Sequence, residues 1–179
     1  MAASKFSGYT QYSKFSTEGM AKWPDDSEET EGYLFLDKDG VVDFFPERIV
    51  LFEIPPNIKA HAAEGFQIIG TFHSHPYGCT NNKCYYQPPS VTDFNSVNTL
   101  CSRLGFCEHV IVTKDRLFII RFIRNLDIKR FGALMKSLEK LRLKNLSVQQ
   151  QEPLWFEIVN KYKDVVCMEV VPNPYKINN

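Results

Sequence analysis

The sequence predicts an α/β sandwich with a mixed sheet, and two observations carry that expectation. Short runs rich in β-branched and aromatic residues are interspersed with stretches of helical period. Ile128, Phe131, Leu134, Met135, Leu138, Leu141 and Leu146 then recur at helical spacing and give one apolar face. Such a face needs a sheet or another helix to cover it.

Taken in order, residues 1–26 contain Ser, Tyr and Phe without a sustained period. Ser-Lys-Phe-Ser begins at Ser4 and again at Ser13, which is too little to make a repeat architecture. This stretch reads as a loosely docked lead-in with one short helix over 11–22, followed by a charged turn from Pro24. Strands are expected over 32–36 and 41–45, joined by the hairpin chemistry of Asp37-Lys38-Asp39-Gly40. A third strand is expected over 48–54, ended by Pro55-Pro56, then a helix over 57–64 with Asn57 as cap and Gly65 as stop. His61 on that helix has no partner at metal spacing and reads as a surface or packing residue.

The run 66–72 (FQIIGTF) reads as a buried strand, stopped by Pro76, which cannot donate to a ladder. Residues 91–104 form a helix ended by Gly105, and 109–114 and 117–123 are two strands joined by a turn. His109 opens the first of these and reads as structural. The residues around the later apolar stripe, Lys129, Arg130, Lys136, Lys140, Arg142 and Lys144, read as a solvated basic face. Residues from Ser147 form a connector, Pro153 suits the first turn of a helix through Lys163, and a last strand over 164–171 ends at Pro172.

Composition narrows the partners. Forty-four per cent hydrophobic and 23% charged residues are ordinary for a globular chain, and 179 residues suffice for one core. The formal net charge of zero favours neither a nucleic acid nor a membrane surface as partner. No run approaches about 18 apolar residues, as a membrane span would need. The N-terminal stretch lacks the apolar core of a secretion signal, so the expectation is a cytoplasmic or nuclear protein. Without such a signal the five cysteines are expected as free thiols. Cys79 and Cys84 leave two alternatives open, a disulfide or half of a second zinc site. No CxxC pair supports a zinc ribbon.

The chemistry concentrates between Gly70 and Asp93. His73 and His75 follow the strand 66–72, and on a strand residues i and i+2 point to one face. Two imidazoles therefore aim at one point. Zinc accepts His nitrogens with a carboxylate oxygen and, in catalytic sites, keeps one position for water. Asp93 is the natural third ligand. Each half also has a plain reading: His-x-His as two polar residues, and Ser90-x-x-Asp93 as a helix start with Ser90 as N-cap and Asp93 suited to the helix dipole. The second reading is compatible with ligation, because an Asp in a first turn can face a strand end.

Together, His73-Ser74-His75-Pro76, Ser90-x-x-Asp93 and an upstream Glu before Gly32-Tyr33-Leu34 resemble the JAMM (MPN+) family of zinc metallopeptidases. Glu29, three residues before Gly32, matches the family's Glu; Glu31 is the near miss, on the same face by strand alternation. The resemblance covers roughly residues 27 to 123. It departs from the family in the interval between His75 and Ser90, which is longer here and full of turn formers. A surface loop tolerates that length cheaply.

The resemblance implies the MPN (JAB) fold, a curved mixed sheet flanked by helices. The catalytic domain would span 27–146, with a C-terminal helix and strand extension over 147–179 packed on it. It further implies zinc held by His73, His75 and Asp93, with Glu29 as general base and Ser90 as a donor to the developing oxyanion. The implied activity is cleavage of the isopeptide bond between a ubiquitin or ubiquitin-like C-terminus and a lysine, with or without a partner subunit. The alternatives are a JAMM peptidase of phage or bacterial type acting on other peptides, and a non-catalytic scaffold. The lengthened loop, with Tyr77, Tyr85 and Tyr86, is placed to touch substrate.

Overall fold

Alternating apolar runs and capped helical stretches assemble into one six-stranded mixed sheet with helices against it. The computed structural model describes residues 29–75, 78–80, 83–85, 88–106, 108–113, 116–122 and 127–173. The expected helix over 11–22 lies outside the described residues, as do Pro76 and the tail beyond Asn173.

The sheet comprises β1 (Glu31–Leu36), β2 (Val42–Pro46), β3 (Gln67–Ser74), β6 (Glu108–Val112), β7 (Arg116–Phe122) and β8 (Val166–Pro172) in the order β2-β1-β3-β6-β7-β8. A separate short ladder pairs β4 (Gly78–Thr80) with β5 (Lys83–Tyr85). The helices among the described residues are α1 (Pro56–Ala63), α2 (Val91–Leu104), α3 (Ile128–Arg142) and α4 (Val148–Lys161). All main-sheet neighbours are antiparallel except β3 and β6, which run parallel. A parallel pair needs a long crossover, and α2 lies within it.

Strand alternation sorts the core. Ile111, Phe118, Ile120, Phe122 and Val166 pack with Phe94, Leu134, Leu138, Trp155 and Val159 of the helices. The intervening residues Val110, Val112, Leu117 and Ile119 join Leu34, Phe44 and Phe72 in a second cluster. Tyr33 and Phe35 receive Ile58 from α1 in a third. His61 is a packing residue there, stacked on Phe66 at 4.3 Å between ring centroids and edge-on to Phe35.

The β1–β2–β3 junction depends on Gly32. A Cβ there would run into the Phe45 carbonyl oxygen and sit 2.7 Å from the Phe72 ring. Gly32→Ala is therefore expected to cost about 1–3 kcal/mol, as overpacking does. A urea midpoint equal to wild type would show that β2 can move aside.

Four local expectations are corrected. Residues 48–54 form no strand; Ile49 N–H is instead taken by the Glu31 carboxylate at 3.0 Å, and Leu51 and Phe52 are exposed. The N-cap of α1 is Pro55, with Pro56 in the first turn where its missing N–H costs nothing; Asn57 bonds Glu47 instead. The last helix starts earlier than Pro153, because Ser147 and Gln150 form a capping box, and Pro153 lies inside α4. Burial of Trp155, Val159 and Tyr162 offsets the lost backbone bond. Order continues past Pro172, since buried Asn173 donates to the Thr113 carbonyl at 2.7 Å.

The cysteine expectation is also corrected in part. Cys101, half-buried on α2, is disulfide-bonded, whereas Cys167 is a free, exposed thiol. Pairing requires Cα atoms about 4.4–6.8 Å apart, a condition set by the folded chain and not by spacing in sequence. On the basic face, Arg130 makes two 2.9 Å bonds to Asp164, and Arg142 pairs with Glu139.

Glu108 opens β6 in a buried position across from Arg121, 3.9 Å away. Burial pushes its carboxyl up from 4.5 to about 7, against the pull of Arg121. The folded protein thus holds this proton more tightly than the unfolded chain does. The contribution is complete below about pH 4.5, declines as pH rises to about 7, and declines no further above that. The loss across that window is on the order of 3 kcal/mol. Glu108→Gln should flatten this slope, read as the urea midpoint against pH; an unchanged slope would place the titration elsewhere.

Candidate metal centre

The site forms where β3 ends beside the start of α2. Along β3, Phe72 and Ser74 are buried on one face while Thr71 and His73 lie on the other. His75 stands one residue past the strand, with its N–H held by the Val112 carbonyl at 2.9 Å. Ser74, between the two histidines, ties in the chain that precedes β1. Its N–H donates to the Thr30 carbonyl and its Oγ accepts from Thr30 N–H, both at 2.8 Å. Glu29 is thereby tethered at the end of β3. Glu31 is register partner to His73.

Asp93 arrives from the other side. Ser90 is the N-cap of α2, its Oγ accepting from Asp93 N–H, while Asp93 Oδ2 accepts from Ser90 N–H at 2.5 Å. Asp93 Oδ1 lies 3.1 Å from His73 Nε2, and Oδ2 lies 3.5 Å from His75 Nε2. The two Nε2 atoms are 3.0 Å apart. The capping and ligating readings of Asp93 therefore coexist in one carboxylate.

These distances suit a small cation. Zinc bonds of about 2.0–2.1 Å in tetrahedral geometry separate neighbouring ligand atoms by about 3.3 Å. The three separations, 3.0, 3.1 and 3.5 Å, bracket that value. Two ring nitrogens facing each other this closely can share only one proton, whereas a cation would satisfy both lone pairs. Burial works to raise the Asp93 carboxyl. The bonds from His73, His75 and Ser90 outweigh it and hold the group well below the usual carboxylate range. The carboxylate is thus ionised and ready to ligate. His73, His75 and Asp93 form a group that could hold a metal ion.

Beside them opens a cavity of about 650 Å³, lined by Glu29, Glu31, Ile49, Leu51, His73 and Asp93, with Thr92, Asn95, Ser96 and Thr99 along α2. Glu31 is already engaged by Ile49 N–H. Ser90 is exposed at the helix start and is not among the cavity-lining residues. Tyr77 and Tyr86 lie outside the described residues, and of the ladder carrying Tyr85 only the backbone is described.

One participant escaped the sequence reading. His109 is 3% exposed, its Nε2 is 2.6 Å from His73 Nδ1, and its Nδ1 is 2.8 Å from Thr71 Oγ1. Burial, with the nearby His73, holds its pKa well below the ordinary histidine value. An imidazole directly before the apolar run Val110–Val112 was the available signal. Its meaning rests on the β3–β6 pairing, which sets Thr71 beside His109.

Fold and site together define a mixed α/β protein carrying a His-His-Asp group of metal-binding geometry. No protein-family model matches the chain, and no curated protein matches it. No helix among the described residues is long and apolar enough to cross a membrane.

Proposed function

We propose that this chain is a zinc-dependent isopeptidase of the JAMM (MPN+) class, cutting between a ubiquitin or ubiquitin-like C-terminus and a lysine. The observation that carries the hydrolytic reading is the convergence of His73, His75 and Asp93 beside a cavity that Glu29 also lines. The substrate class rests on the motif His73-Ser74-His75-Pro76 with Ser90-x-x-Asp93 and Glu29.

His73 and His75 would offer Nε2, and Asp93 a carboxylate oxygen, to zinc beside the cavity. When bound, zinc supplies a water acidified from 15.7 to about 7 and polarises the scissile carbonyl. Glu29 takes the proton from the attacking water and returns it to the departing lysine amine. Glu31 is less free for this, because its carboxylate holds Ile49 N–H. Ser90 keeps its hydroxyl proton while Oγ accepts from Asp93 N–H, so it can donate to the oxyanion only from the cavity's margin. An extended tail entering the cavity would meet apolar Ile49 and Leu51 on one side and the hydroxyl and amide side chains of α2 on the other.

A panel of di-ubiquitins and unrelated peptides, each assayed with and without a zinc chelator, tests the proposal. Chelator-sensitive cleavage of di-ubiquitin is the expected result. Chelator-sensitive cleavage of peptides alone would keep the metallopeptidase and remove the ubiquitin substrate. Inertness toward the whole panel in the zinc-loaded protein would indicate a scaffold.

A further inference from the structure

We propose that His109 is a positioning residue of the metal centre, which orients His73 through a buried relay ending at Thr71. The inference rests on the metal reading of His73, His75 and Asp93. The three residues of the relay are placed by β-sheet register and not by chance contact. Thr71 and His73 stand on one face of β3, and the parallel pairing sets His109 directly beside Thr71 and two residues from the partner of His73.

The direction of the bonds follows from the chemistry. A His73 that presents the Nε2 lone pair to a cation carries its proton on Nδ1. The acceptor facing that proton, at 2.6 Å, is His109 Nε2. His109 must then carry its own proton on Nδ1, and Thr71 Oγ1 accepts it at 2.8 Å. Each ring keeps one proton, and the hydroxyl can serve as acceptor without changing charge. The His109 ring is also 4.8 Å between centroids from that of His73, which limits rotation of the ligand ring. Outer partners of this kind raise ligand basicity and cut the entropy of ordering a ligand. Among the described residues, His109 is the hydrogen-bond partner of His73 Nδ1, and it is the group that orients that ring.

The test measures zinc affinity of the full chain by competition with a chromophoric chelator. Wild type, His109→Leu, His109→Gln and Thr71→Val are compared, with thermal unfolding of each metal-free protein alongside. His109→Leu is expected to weaken zinc binding about 10- to 100-fold. His109→Gln should recover most of it, because its amide oxygen can accept from His73 and its amide N–H can donate to Thr71. Thr71→Val keeps the His109 ring and should weaken binding severalfold, so it decides the matter if the leucine variant does not fold. In the zinc-loaded wild type, imidazole nitrogen shifts should show His73 protonated on Nδ1. Equal zinc affinity in wild type and in the folded His109→Leu and Thr71→Val variants would overturn the relay while leaving the metal site standing. A wild type that binds no zinc would overturn both.

Discussion

Asp93→Asn is expected to lose zinc while keeping the fold. The amide oxygen can still accept from Ser90 N–H, so the capping box that starts α2 survives. What disappears is the negative charge between two imidazoles whose Nε2 atoms lie 3.1 and 3.5 Å from the carboxylate oxygens. Removing one partner from a shielded charged cluster costs about 3–5 kcal/mol, equivalent to about 10²- to 10⁴-fold in affinity. Elemental analysis and chelator competition would read the loss directly, and hydrolysis should fall with it. The metal-free variant should still unfold in one cooperative transition, at a somewhat lower midpoint than metal-free wild type because the carboxylate's bonds to His73 and His75 are lost. A variant that retained stoichiometric zinc would remove Asp93 from the ligand set, and the hydrolytic reading would lose its third ligand.

Glu29→Gln should behave in the opposite sense, binding zinc normally and turning over about 10²- to 10⁴-fold more slowly, the usual contribution of a positioned general base. Glu29 lines the cavity and is held there through the bonds between Thr30 and Ser74. Glu31→Gln provides the control. Its amide oxygen can still accept from Ile49 N–H, so the loop after β2 should hold and activity should change little. Loss of turnover in the Glu31 variant, with activity retained in the Glu29 variant, would reassign the base to Glu31.

Much of the architecture was legible because the signals are local. Ser90 and Gly105 bracket α2, with capping box and left-handed C-cap as their residue types require. The hairpin of β1 and β2 follows from Asp37 and Gly40, where Asp37 Oδ1 accepts from Asp39 and Val41 N–H and Gly40 has φ 77°. The convergence of His73, His75 and Asp93 was legible for the same reason, since two of them lie at one strand end and the third in a helix's first turn. Where local chemistry competed, the reading failed. Residues 48–54 have strand composition, but Glu31 takes the Ile49 N–H that a ladder would need. Pro153 marks a helix start by its own preference, but the stronger capping box at Ser147 starts the helix five residues earlier, at Val148.

Composition and spacing thus determined the helix ends, the hairpin and the three residues that could meet a metal, because each is governed by groups a few positions apart. Tertiary structure alone decided that β3 pairs parallel with β6, that Ser74 secures the approach to Glu29, and that His109 bonds His73. Those contacts join residues 44 and 36 positions apart. Burial of the sheet's two faces selects their register, and no neighbouring residue in the chain carries that information.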